Sequence, residues 1–73
     1  MGRPGFSYSE VARRLRRLGF AFDRQAKGSH EIWRHAHDGR KTTVPRHPRD
    51  IHEGTLRAVL RQADVGPAAF LNA

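Results

Sequence analysis

The sequence predicts an α+β fold: a helix, a three-stranded antiparallel meander and a second helix, with one sheet face packed against both helices. Three observations carry this expectation. Apolar residues recur at helical spacing in two stretches, one toward each end of the chain. Between them lie three short segments rich in β-branched or aromatic residues, separated by glycine-containing turns. The chain has 73 residues, enough for a single domain over residues 1–73 with one modest core, and two layers bury a sheet face and two helix stripes economically.

Ser7-Tyr8-Ser9-Glu10 reads as a capping box, in which Ser7 accepts from a free helix N–H and Glu10 reaches back; Ser9 is a rival cap. Tyr8, Val11, Leu15 and Leu18 then form a stripe, with Ala12 beside it, and Gly19 stands where a left-handed C-cap ends the helix. Arg13, Arg14, Arg16 and Arg17 fall mostly off that stripe, so the helix has one apolar and one strongly basic side. In the first strand, Phe20, Phe22 and Arg24 alternate with Ala21 and Asp23. Ala26-Lys27-Gly28-Ser29 is a turn. His30 to His35 is a second strand, Asp38-Gly39 a hairpin turn, and Lys41 to Pro45 a third strand that proline can finish, because it donates nothing to a ladder. A polar connection, Arg46 to Asp50, leads to a second helix starting near Gly54-Thr55, with Leu56, Val59, Leu60 and Ala63 on its apolar face. Gly66-Pro67 ends or interrupts it, and Phe70 and Leu71 close over the core from one last turn. The expected core is Val11, Leu15, Leu18, Phe20, Phe22, Ile32, Val44, Leu56, Val59 and Leu60. Pro4 and Gly5 suggest a loose N-terminus.

The formal charge is +7, from 14 Lys and Arg against 7 acids. Arginine dominates, and its rigid fork suits phosphate. Such charge on so small a body points to nucleic acid, to an acidic protein partner, or to simple solubility. There is no cysteine, which excludes disulfide staples, thiol nucleophiles and thiolate zinc sites. No apolar run approaches a membrane span, and the first residues are too short and polar for a signal peptide, so a cytoplasmic protein is expected.

Five histidines offer proton transfer near neutral pH: His30, His35, His37, His47 and His52. No zinc-protease helix pattern is present, and His35-Ala36-His37 reads as an exposed loop, so neither metal nor cofactor is expected. His30 differs by context. Gly28-Ser29-His30 puts it straight after a tight turn, where glycine admits a phosphate or ribose close to the backbone. Ser29 offers donors, and Arg24 and Lys27 flank the turn. One histidine in that position can take the proton of a 2′-hydroxyl attacking the adjacent phosphate, or protonate the leaving 5′-oxygen, while arginines stabilise charge on the phosphoryl group. Water, His47 or another side chain would supply the second proton-transfer group. The competing reading of His30 is a strand histidine donating to a neighbouring carbonyl. Parity puts His30, Ile32 and Arg34 on one face, and Glu31, Trp33 and His35 on the other. If Ile32 is core, His30 leans inward unless a sheet edge or bulge near Gly28 exposes it. Trp33 and Tyr8 either stack on bases or pack.

The chain resembles the HicA family of bacterial toxins, the mRNA interferases of type II toxin–antitoxin pairs. The resemblance is carried by the helix ending in Leu18-Gly19-Phe20, by the run from Arg24 through Gly28-Ser29-His30 to Ile32 and Trp33, by the segment from Asp38 through Lys41 and Arg46 to His47, and by Gly54 to Ala63. With Phe70-Leu71 these span about residues 7–71, the expected core of the domain. The resemblance implies a fold like a double-stranded RNA-binding domain and a catalytic histidine at His30. It also implies metal-independent cleavage of mRNA that arrests translation and growth, and silencing by a HicB-type antitoxin that masks the site. Many relatives carry a second histidine directly after the first; here that position is Glu31. Supporting RNA contacts are expected from Arg24, Lys27, Gly28 and Ser29, from Arg13, Arg14, Arg16 and Arg17, and from Lys41, Arg46 and His47. The alternatives are a non-catalytic RNA-binding module and a protein-interaction domain.

Overall fold

In the computed structural model, which describes residues 5–46 and 49–73, the elements run β1 (Gly5–Phe6), α1 (Tyr8–Arg17), β2 (Phe20–Gln25), β3 (His30–His35), β4 (Lys41–Pro45), β5 (Ile51–His52), α2 (Glu53–Ala63) and α3 (Pro67–Leu71). The α-β-β-β-α order is as expected. Strands β2, β3 and β4 form an antiparallel meander in that order, and both long helices pack on it.

Helix α1 starts as its sequence dictates. Ser7 Oγ accepts the Glu10 N–H at 3.1 Å, and Glu10 Oε1 accepts the Ser7 N–H at 3.1 Å. Val11, Ala12 and Leu15 are fully buried, while Leu18 is only partly so. Gly19 takes φ +97°, and a Cβ there would lie 2.6 Å from His35 Nε2, so both torsion and space require glycine. Helix α2 begins at Glu53 and ends at Ala63, short of Gly66. Its stop is Asp64 in the left-handed region, φ 56°, held by Arg40, whose guanidinium donates to Ala63 O and Asp64 O at 2.9 Å each. Gly66 instead caps α3, with Pro67 at its first turn.

Two parts of the expected core change. On β3 the inward residues are Glu31 and Trp33, opposite Val44 and Thr42 of β4; Ile32 is only half-buried and shares the open face with His30. Trp33 is fully buried, which supports packing over base stacking for it. Its Nε1–H donates to Glu31 Oε1 at 3.0 Å, and the Tyr8 hydroxyl donates to the same oxygen at 2.6 Å. A buried carboxylate is tolerated because these donors satisfy it. Phe22 is 51% exposed and stands at the margin of the core, edge-on to Trp33. Beyond it the register shifts between Phe22 and Arg24. This bulge pairs Arg24 with Ile32, so strict alternation fails and Arg24 leaves the side of Phe20 and Phe22.

The additional elements seal one end. Gly5 is not loose: β1 pairs with β5, Gly5 opposite His52 and Phe6 opposite Ile51. Pro4 lies outside the described residues. Phe6 and Ile51 join the core, and Phe6 meets Phe70 edge-on at 5.6 Å. Phe70 closes the core as expected, but Leu71 is 44% exposed.

Candidate active site

The turn that presents His30 is built from backbone bonds. Ala26 N–H donates to His30 O at 2.8 Å, and His30 N–H donates to Lys27 O at 3.3 Å. The Gln25 amide nitrogen then bridges Gly28 O at 2.9 Å and His30 O at 3.1 Å. Gly28 has φ +66°, and a Cβ there would meet nothing within 4 Å. Glycine is therefore needed for the torsion, and the space above it is open to a ligand. On the other side Arg46 N–H donates to Ser29 O at 2.8 Å, tying the turn to the end of β4. The His30 imidazole is thus mounted on a fixed backbone at the start of a strand, opposite Pro45, and is exposed. It does not lean into the core, because the inward side of β3 belongs to Glu31 and Trp33.

His30, Thr43 and Pro45 form the sheet side of a groove of about 640 Å³. Its other side comes from the segment entering α2 and from α2 itself, with Arg49, Asp50, His52, Thr55, Arg61 and Gln62. This size falls within the ~300–1,000 Å³ of small-ligand pockets. Gln62 also closes the sheet edge there, its Oε1 accepting the Thr43 N–H at 2.7 Å. Among the described residues no three His, Asp or Glu side chains come together as a metal-ligand group. His35 serves the β3–β4 loop instead. Its Nδ1 accepts the N–H groups of His37 and Asp38 at 3.2 and 3.3 Å, so that nitrogen carries a lone pair. Asp38 Oδ1 approaches the same nitrogen at 3.3 Å.

Lys27, Gly28 and Ser29 stand with His30 on one exposed turn. Arg24 joins its face through the bulge, pairs with Ile32, and is balanced by Asp23 at 2.9 Å. Lys41 is on the same face but at the far end of β4, opposite Arg34. Arg46 flanks the site from beneath. Its guanidinium lies over the Tyr8 ring at 5.2 Å and 3.7 Å from Glu31 Oε2. None of Arg13, Arg14, Arg16 and Arg17 lines the groove; they belong to α1, on the helix-covered side. Arg14 donates to Phe70 O, Leu71 O and Ala73 O, and Arg16 covers Trp33 at 5.3 Å. His47 lies outside the described residues. Sequence patterns did not single out Arg49, Asp50, His52 and Arg61 for the site. They join the groove of His30 only when α2 and the segment entering it fold back along β4, and no local pattern signals that.

The family profile for the HicA toxin of bacterial toxin–antitoxin systems matches residues 8–65, which span α1, the whole meander and α2. The chain belongs to the HicA toxin family. Its general role is therefore that of a HicA toxin, acting against translation, in a family whose members are often enzymes. No curated protein matches the sequence. The HicA match includes the Gly28-Ser29-His30 turn and every residue that lines the groove. No helix among the described residues is long and apolar enough to cross a membrane.

Proposed function

We propose that this HicA toxin is a metal-independent endoribonuclease that cleaves mRNA, with His30 as its proton-transfer residue and residues 1–73 as one toxin domain. The observation that carries the reading is the placement of His30, exposed on a rigid Gly-Ser-His turn at the rim of a groove with basic side chains in its lining. In the proposed reaction the substrate 2′-oxygen forms a bond to the adjacent phosphorus and the bond from phosphorus to the 5′-oxygen breaks. The products are a 2′,3′-cyclic phosphate and a free 5′-hydroxyl. One proton leaves the 2′-hydroxyl and one reaches the 5′-oxygen, and an imidazole performs either transfer near neutral pH. DNA has no 2′-hydroxyl, so the chemistry itself selects RNA. Lys27 and Arg24 supply cations beside the turn, and the Gly28 and Ser29 backbone leaves room for the phosphate.

The net charge of +7 favours an acidic partner as well as RNA, and a HicB-type antitoxin covering His30 with acidic side chains would block the substrate by occupancy. Both partners place the action in the cytoplasm.

The test is cleavage of a labelled mRNA in EDTA by wild type and His30→Ala, with RNA binding measured in parallel. Wild type is expected to cut in EDTA. His30→Ala is expected to lose about 10²–10⁴-fold in rate, as for removal of a general acid or base, with unchanged affinity and folding. Equal cutting by both proteins would remove His30 from the mechanism. Tight RNA binding with no cutting by wild type would make the chain a non-catalytic RNA-binding module.

A further inference from the structure

Cleavage by internal transesterification moves two protons, and His30 alone handles one at a time. Among the described residues, the groove that His30 lines is also lined by four other ionisable side chains: Arg49, Asp50, His52 and Arg61. Arginine keeps its proton throughout the range in which a protein survives, so Arg49 and Arg61 stabilise charge and do not transfer protons. The Asp50 carboxylate carries the wrong charge to approach a phosphodiester. Among the described residues of the lining, His52 is the remaining group, and imidazole both gives and takes a proton near neutrality.

The mounting of His52 resembles that of His30. Its backbone is fixed on both sides, by pairing with Gly5 in the β1–β5 ladder and by leading into α2. The ladder is tight there: a Cβ on Gly5 would lie 2.6 Å from Ile51 O. The side chain is nevertheless exposed and makes no capping hydrogen bond to α2. The neighbouring Glu53 carboxylate is engaged by Arg57 at 2.8 Å, one turn along the helix. The imidazole therefore stands on a rigid support at the groove, with Arg49 and Arg61 in the same lining and no structural task of its own among the described residues.

From this geometry we infer that His52 is the second catalytic histidine of the site, acting on the same phosphodiester as His30. The inference rests on the reading that His30 is catalytic. One imidazole accepts the 2′-hydroxyl proton as the new P–O bond forms. The other, protonated, gives its proton to the 5′-oxygen as the old P–O bond breaks.

The experiment compares wild type, His30→Ala and His52→Ala in single-turnover cleavage of an mRNA fragment, with affinity and thermal melting measured for each. A second substrate carries sulfur in place of the bridging 5′-oxygen at the cut; a thiolate departs without needing a proton. On the ordinary RNA, His52→Ala is expected to lose about 10²-fold or more in rate, as His30→Ala does, with affinity and melting unchanged. On the sulfur substrate one of the two variants, the one lacking the acid, recovers the wild-type rate and the other does not. His52→Ala cutting ordinary RNA at the wild-type rate overturns the inference. So does a defect that lies in affinity alone, or equal impairment of both variants on the sulfur substrate. A defective His30→Ala beside a normal His52→Ala leaves the single-histidine mechanism standing, whereas a normal His30→Ala removes that mechanism itself.

Discussion

Arg14 and Arg61 each stand in the last turn of an amphipathic helix, a position where a cation complements the helix dipole. Their fates differ. The Arg14 guanidinium turns inward between Phe6 and Phe70, 5.7 and 5.5 Å from their ring centres, and donates to three carbonyl oxygens of the chain's last residues. Its Nε is buried without a hydrogen-bond partner among the described residues. Arg61 stays exposed and lines the groove that His52 also lines. In sequence the cluster at residues 13–17 is the more conspicuous basic feature, and it is the one whose charge is partly committed to holding the fold. A cation serves RNA only where packing leaves it unoccupied, and net charge carries no information about that.

Substitution separates the two. Arg14→Ala should have the largest effect on stability of the pair. Hydrogen bonds from a charged donor contribute about 1.5–3 kcal/mol, and the stacked rings add to them. A loss of about 2–3 kcal/mol is expected, which at ~4–8 °C per kcal/mol for a domain this small is readily seen by thermal melting. RNA affinity of the folded protein should barely move. Arg61→Ala should do the reverse. Melting should stay within about 0.5 kcal/mol of wild type, as for most surface changes. RNA binding should weaken, and the slope of log affinity against log salt should fall by about one phosphate contact. Unchanged binding by Arg61→Ala, or a large binding loss by a stably folded Arg14→Ala, would reverse the assignment of the two arginines.

The same distinction explains what the sequence made legible. The helices, the meander and the Ser7–Glu10 capping box are local, and each is written in consecutive residues. The Gly28-Ser29-His30 turn is local too, so His30 stands out in the sequence by itself. The open face was harder. Ile32 looks like core by composition, but the larger Trp33 takes the inward side because its indole N–H finds Glu31 there. A buried acid is invisible to hydrophobic patterning. The bulge after Phe22 reverses the side on which Arg24 falls, which simple alternation misses. The β1–β5 ladder has two residues per strand, too few for any period. Arg49, His52 and Arg61 line one groove with His30 because α2 and the segment entering it fold along β4, and that juxtaposition exists only in three dimensions.

Arg40 is the intermediate case, and pH tests it. Like Arg14 it is occupied: it donates to the end of α2, covers Phe20 at 5.4 Å and pairs with Asp38 at 2.9 Å. The Asp38 carboxyl is held below its ordinary 3.8, first by the Arg40 backbone N–H and further by the Arg40 side chain, which together outweigh an opposing desolvation. A depressed carboxylate stabilises the fold above the unfolded value, and the contribution is lost as pH falls through the folded one. Because the Asp38 side chain is half-exposed, the effect on stability is slight and should weaken in high salt. Asp38→Asn should melt slightly below wild type at neutral pH, and the gap should close as pH falls below the ordinary carboxylate range. A gap that persists unchanged into acid would place its origin in the turn geometry of residue 38 and not in charge. Arg40 would then be fixed by the end of α2 alone. A gap that closes makes Asp38 part of what keeps this cation from the ligand, and Asp38→Asn should then raise RNA affinity slightly at neutral pH.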